Sequence, residues 1–215
     1  MFKLPLSLLA FVTLTQVSGS APPTALADAE RHAVRTLRQI HTAQLAFRSA
    51  GWVDLDGDSI GHFGWLAELA GAVPVTGSST PVPPPAPLPP AFGKIDANGY
   101  LSLREYFYVM VLPDGSGAPN SEAAGGGSPG GIWGDASERA FACYAWAKDL
   151  QSSSVRAFVI NHEGVVLTTD GVVVAYDGTA NTPYGDSAYL HANDLTGALA
   201  KNATAMDGNT WCVVP

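Results

Sequence analysis

The sequence predicts an α+β fold in which a long N-terminal helix packs on an antiparallel β-sheet. Two observations predict it: a helix-period apolar stripe near the start, then a series of short strand-like runs with no second long helical period. The chain has 215 residues, of which 47% are hydrophobic, enough for one domain with a substantial core. Only 14% are charged, and the formal net charge is -8. No basic cluster stands out that could neutralise a phosphate backbone, so nucleic acid is not an expected partner.

The first residues have the layout of an export signal. Met1-Phe2-Lys3 is a short positive region, Leu4 to Val17 is apolar, and Ser18-Gly19-Ser20-Ala21 supplies small residues for cleavage. This reading makes residues 1–21 a signal peptide and 22–215 a single domain. The alternative is a retained anchor, but the apolar stretch is short beside the roughly 20 residues a span needs, so no stable membrane span is expected after cleavage. The expected location is periplasmic or extracellular.

The helix is expected over about Asp28 to Ser49. Ala33, Leu37, Ile40 and Phe47, with Val34 and Leu45, recur at three- and four-residue spacing, while Arg31, Arg35, Arg38 and Arg48 leave the stripe. Asp28 or Thr24 can cap its start and Gly51 ends it. A second short helix, about Gly64 to Leu69, follows the acidic run DLDGDSIG.

Thr76 to Pro90, TGSSTPVPPPAPLPP, reads as an extended surface excursion, because proline cannot donate to a sheet ladder. Asn120 to Gly131 reads as a flexible Gly-rich loop. Between them Tyr100 to Leu112 is apolar on both alternating faces, as a covered central strand should be. Arg139 to Lys148 follows as another strand, with Ala157 to Asn161 and Val165 to Thr169 as a hairpin around His162-Glu163-Gly164. GVVVAYDG is expected to extend the hairpin. Asp194 to Ala203 is expected as a C-terminal helix before a last strand, Trp211 to Val214.

Cys143 and Cys212 are the only cysteines, and an exported fold can join them. Closing so long a loop would stabilise by roughly 4 kcal/mol in the chain-entropy model. Two free thiols are the alternative, since spacing does not show that the sulfurs meet.

RTLRQIHTAQLAF, DLDGDSIGHFGWLAELAG, YFYVMVLPDGSG, FACYAWA and AFVINHEGVVLTT, in that order, resemble a family of exported pilin-like proteins of environmental bacteria. Their globular heads are similar to those of type IV pilins and type II secretion pseudopilins. The resemblance spans roughly Glu30 to Thr169. It implies a non-enzymatic structural or interaction module with protein partners or self-association at the cell surface. The chain departs from a prepilin in lacking the long apolar helix, and Pro22-Pro23 would break such a spine. Helix-bundle assembly is therefore not implied, while association through sheet edges or donated strands stays open.

Asp54, Asp56 and Asp58 form the best chemical constellation. Closely spaced carboxylates on a tight turn suit calcium, which takes six to eight oxygen ligands. The run is not an EF-hand: Ser59 stands at the sixth position in place of Gly, and Trp65 at the twelfth in place of Glu. Another ligand would come from the Ile60 carbonyl, Glu68 or a distant residue. The competing reading is a solvated Asp/Gly turn that caps the next helix. The five histidines lack zinc-helix spacing, and neither a nucleophile elbow nor a phosphate loop is present, so no catalytic residue is expected. A carbohydrate- or surface-binding adhesion protein using Tyr106, Tyr108, Tyr144 and Trp146 is the alternative, and a secreted hydrolase the next.

Overall fold

Strands that are apolar on both faces must be covered from both sides, and this requirement organises the molecule. The computed structural model describes residues 23–130, 134–149, 156–170 and 173–214. The expected signal peptide therefore lies outside the described residues. Among the described residues no helix is long and apolar enough to cross a membrane.

Eight strands form one antiparallel sheet: β1 (Leu101–Leu103), β2 (Tyr106–Pro113), β3 (Pro119–Ser121), β4 (Ala142–Ala147), β5 (Phe158–Asn161), β6 (Val166–Asp170), β7 (Ala203–Thr204) and β8 (Thr210–Val213). Their order is β1-β2-β4-β5-β6-β8-β7, with β3 pairing to β2. Register is set by the alternation of side chains, since a slip of one residue would exchange the two faces. Val109 pairs with Tyr144 and Tyr144 with Val159, all on one face, whereas Met110, Cys143 and Ile160 line up on the other.

Each face has its own core. On one, Tyr108, Met110, Phe141, Cys143, Phe158 and Ile160 join the helix stripe Ala33, Leu37, Ile40, Ala43 and Phe47. The helix α1 (Pro23–Ser49) lies chiefly against β5, with β4 and β6 beside it, and Gln44 reaches Met110 of β2. Residues from the 63–92 segment, including Leu66, Leu69, Leu88 and Phe92, complete the same cluster. On the opposite face Val109, Val111, Tyr144, Trp146, Val159, Leu167 and Trp211 pack against Tyr176, Ala188, Tyr189, Leu195 and Leu199.

The predicted α+β head, a long helix packed on a sheet, is corrected accordingly. The protein is mostly an eight-stranded antiparallel sheet, and the other two α-helices, α2 (Leu66–Leu69) and α3 (Ala136–Arg139), are single turns. The physical reason is the second apolar face, which one helix cannot reach. It is covered by residues 174–205, a non-helical segment held by turns and isolated bridges such as Tyr189 to Leu199. The expected helix at Asp194 to Ala203 is absent there, and within GVVVAYDG residues 173–178 form no strand, while 171–172 lie outside the described residues. Asp194 turns the chain instead, accepting from the Thr196 N–H at 3.1 Å and the Thr196 hydroxyl at 2.7 Å, with Gly197 following.

The run Tyr100 to Leu112 is a hairpin rather than one strand: it turns at Arg104, whose φ is +50°, and Leu101 pairs with Tyr108. The β5–β6 hairpin forms at the predicted place, with Gly164 at φ +75° seated on the His41 ring, where a Cβ would come within 2.9 Å. The Pro-rich stretch carries no strand, yet it is not wholly on the surface, because Val82 and Leu88 are buried and Leu88 N–H donates to the Leu69 carbonyl at 3.0 Å.

The expected disulfide is also corrected: Cys143 and Cys212 are both free thiols. Cys143 lies on β4 and Cys212 on β8, with β5 and β6 between them. At about 4.8 Å per strand step the two backbones stand roughly 14 Å apart. A disulfide requires Cα atoms roughly 4.4–6.8 Å apart.

Tyr144 ties the irregular outer layer to the sheet. Its buried hydroxyl donates to the Gly185 carbonyl at 2.9 Å and accepts the Ala188 N–H at 3.1 Å. Tyr144→Phe is predicted to strand both groups and lower the unfolding free energy by about 1–3 kcal/mol. Urea unfolding followed by circular dichroism measures this, and a loss smaller than roughly 0.5 kcal/mol would refute the attachment.

Candidate metal centre

The acidic loop grows from the end of α1. Gly51, at φ +63°, turns the chain out of the helix, and the base of the loop closes where His62 N–H donates to the Val53 carbonyl at 2.8 Å. Gly61 lies directly on the helix end, where a Cβ would come within 2.1 Å of the Arg48 carbonyl oxygen. Only glycine fits this approach.

Within the loop the aspartates order their own backbone. Asp54 accepts from Gly57 N–H at 2.8 Å and Ser59 N–H at 3.1 Å, and Asp58 accepts from Ile60 N–H at 2.7 Å. Asp56 accepts from Asp58 N–H at 3.2 Å. Ser59 has φ +73°, the left-handed conformation that glycine usually supplies. A carboxylate has about four acceptor sites, so these contacts leave lone pairs on all three aspartates. Their carboxylate oxygens lie within 4.8 Å of one another.

A second chain segment reaches the same place. Phe63 N–H donates to the Ser137 carbonyl at 2.9 Å, which fixes α3 beside the loop. Asp135 and Glu138 thereby bring carboxylate oxygens within 4.8 Å of one on Asp56. Asp135 is exposed, but Glu138 is only 4% exposed, and its Oε1 has no hydrogen-bond partner. His62 Nε2 stands 3.6 Å from that oxygen, beyond hydrogen-bond reach. Burial pushes the Glu138 carboxyl above its ordinary range; His62 opposes this, while the charges of Asp58, Asp56 and Asp135 add to it. Two carboxylate triads thus share Asp56, where a cation would relieve their repulsion.

Asp54, Asp56 and Asp58, the residues the sequence singles out, lie together, and the structure places Asp135 and Glu138 beside Asp56. Glu68, one of the sequence candidates, is elsewhere: it is buried and accepts from Trp65 N–H at 3.1 Å and from Thr76 N–H at 2.7 Å. Nothing in GDASER distinguished Asp135 and Glu138 from an ordinary acidic helix start. Their placement beside Asp56 is visible only in three dimensions. Tyr106, Tyr108, Tyr144 and Trp146 are all core residues, no more than 1% exposed, and form no sugar-stacking surface.

Comparison with protein-family models, with curated proteins and with solved structures found no match.

A second pair of carboxylates, Glu68 and Glu122, is buried at α2 and close enough for the Glu68 charge to act on Glu122, but its oxygens are occupied by the fold. Glu122 accepts from Leu66, Ala67 and Gly127 N–H at 3.1, 2.9 and 3.1 Å. Burial raises Glu122 to about 7, against the pull of those three amides, and the Glu68 charge adds to the rise. Burial raises Glu68 as well, opposed by Thr76 and Trp65. A carboxyl whose folded-state value exceeds its unfolded one stabilises fully below the unfolded value and loses that contribution as pH rises through the folded one. Urea midpoints are therefore predicted to fall between about pH 5 and pH 8. Glu122→Gln should flatten this slope, with Glu68 and Glu138 accounting for what remains, and an unchanged slope would contradict the assignment.

Proposed function

We propose that this protein is a non-enzymatic, calcium-stabilised structural or interaction module acting outside the cytoplasm. The observation that carries the reading is the buried Glu138, whose Oε1 lacks a hydrogen bond and whose carboxylate converges with Asp56 and Asp135 beside Asp54 and Asp58. Burying a carboxylate oxygen without a hydrogen bond is costly, and a bound cation offsets that cost. The donors are all oxygens, which suit a hard cation, and their spread over two segments suits the larger and more flexible calcium sphere better than the tight octahedron of magnesium. Such a cation would join the end of α1 to α3, two segments otherwise linked here by few backbone bonds.

The extracytoplasmic location rests on the N-terminal sequence. The interaction part is supported by the outer layer, where Tyr184 is 63% and Met206 48% exposed around one shallow depression. The carbohydrate alternative is not favoured, because the rings it would use are in the core.

Calorimetry of the purified protein tests the cation. Calcium at a hundred times its dissociation constant should add about 2.7 kcal/mol, equivalent to a rise of roughly 5–10 °C in Tm. A chelator should remove the rise, and Asp56→Ala or Glu138→Gln should abolish it. Equal melting temperatures with calcium and with chelator would end the proposal. A rise given equally by magnesium would reassign the ion.

A further inference from the structure

The helix arginines that leave the buried stripe are not spread evenly over the surface. Arg31, Arg35 and Arg38 recur at four- and three-residue spacing on one face of α1, and with Arg156 they line a single groove of about 520 Å³. The groove runs between α1 and the ends of β5, β6 and β8. Its wall includes Val34, the buried Phe158 and Val214. All four arginines are exposed. A chain of formal charge -8, with 11 basic residues in all, thus gathers four of them around one partly apolar groove.

Two of these arginines are already engaged. Arg31 pairs with Asp28, and Arg156 Nε lies 3.8 Å from Glu30 Oε1. Arg35 and Arg38 have no carboxylate within ion-pair distance among the described residues. Four like charges on one groove repel one another, and only part of that repulsion is met by Asp28 and Glu30.

We propose that this groove binds a small amphiphilic anion, with its phosphate or carboxylate held by Arg35 and Arg38 and its apolar part laid on Val34, Phe158 and Val214. The guanidinium fork matches both headgroups with paired N–H···O contacts. The groove volume lies within the roughly 300–1,000 Å³ of ordinary small-ligand sites, and its apolar wall would be wasted on a purely polar ion. A long polyanion is disfavoured by the net negative charge of the rest of the chain. The site shares no residue with the carboxylate cluster, so its test is independent of calcium.

Isothermal titration of the full-length protein with dodecyl phosphate, dodecanoate, inorganic phosphate and the neutral dodecyl maltoside decides it, each amphiphile kept below its micelle concentration. One equivalent of dodecyl phosphate or dodecanoate should bind at least tenfold more tightly than inorganic phosphate and the maltoside; which of the two binds better identifies the headgroup. Arg35→Ala with Arg38→Ala should weaken binding at least tenfold, and the paired lysine substitutions should restore only part of it. Both arginines are exposed, so the double variant should melt at the wild-type temperature, which separates lost binding from lost folding. Equal affinity for inorganic phosphate or for the neutral detergent, or wild-type affinity in the double alanine variant, would overturn the proposal.

Discussion

Residues 61–70 are buried without exception, yet only four of them form a helix, and the backbone polar groups of that stretch must find partners away from water. Side chains supply several. Gln44 on α1 acts as a substitute peptide, donating to the Gly64 carbonyl at 2.7 Å and accepting the Gly64 N–H at 2.9 Å. Glu68 takes the Trp65 N–H and Glu122 takes those of Leu66 and Ala67. Each of these polar side chains is no more than 3% exposed, which would be destabilising without these contacts. They are present because an irregular buried segment needs them.

The position of the carboxylate cluster follows from this constraint. With 61–70 held against α1 by Gln44 and against the end of β3 by Glu122, the preceding loop has no choice but to emerge at the end of α1. The Phe63 N–H then brings α3 alongside through the Ser137 carbonyl. Glu138 is buried as a consequence, and its repulsion with Asp56, Asp58 and Asp135 is a property of the assembled core rather than of the loop. The arginine groove arises at the opposite flank for a related reason: the stripe Ala33, Leu37 and Ile40 faces inward, so the arginines one step round the helix border the exposed edge of the contact with β5 and β6.

Local pattern was a good guide where periodicity and burial agree. The helix stripe apart from exposed Leu45, the hairpin of β5 and β6, and the two-sided apolarity of β2 and β4 were readable, the first from its three- and four-residue spacing and the strands from short apolar runs bounded by turn residues. Where burial is achieved by irregular chain, periodicity carries no signal. The 174–205 layer reads in the sequence as a strand extension and a helix, although Tyr176, Tyr189 and Leu195 are all buried, with at most 5% exposed. The cysteines illustrate the same limit: two thiols in apolar runs looked like partners until strand order put β5 and β6 between them. The hairpin turn at Arg104 was hidden because arginine is not a usual residue for a positive φ.

By itself the sequence determined the elements with a strong period and the presence of three aspartates on a tight loop, since these depend on neighbours a few residues apart. Only the tertiary structure decided that the sheet has two cores, that the cysteines stay apart, that Asp135 and Glu138 complete the acidic cluster, and that the helix arginines meet Arg156 beside an apolar wall. These are pairings between segments far apart along the chain. Burial, charge repulsion and strand order select them, and none of the three can be evaluated until the chain has folded back on itself.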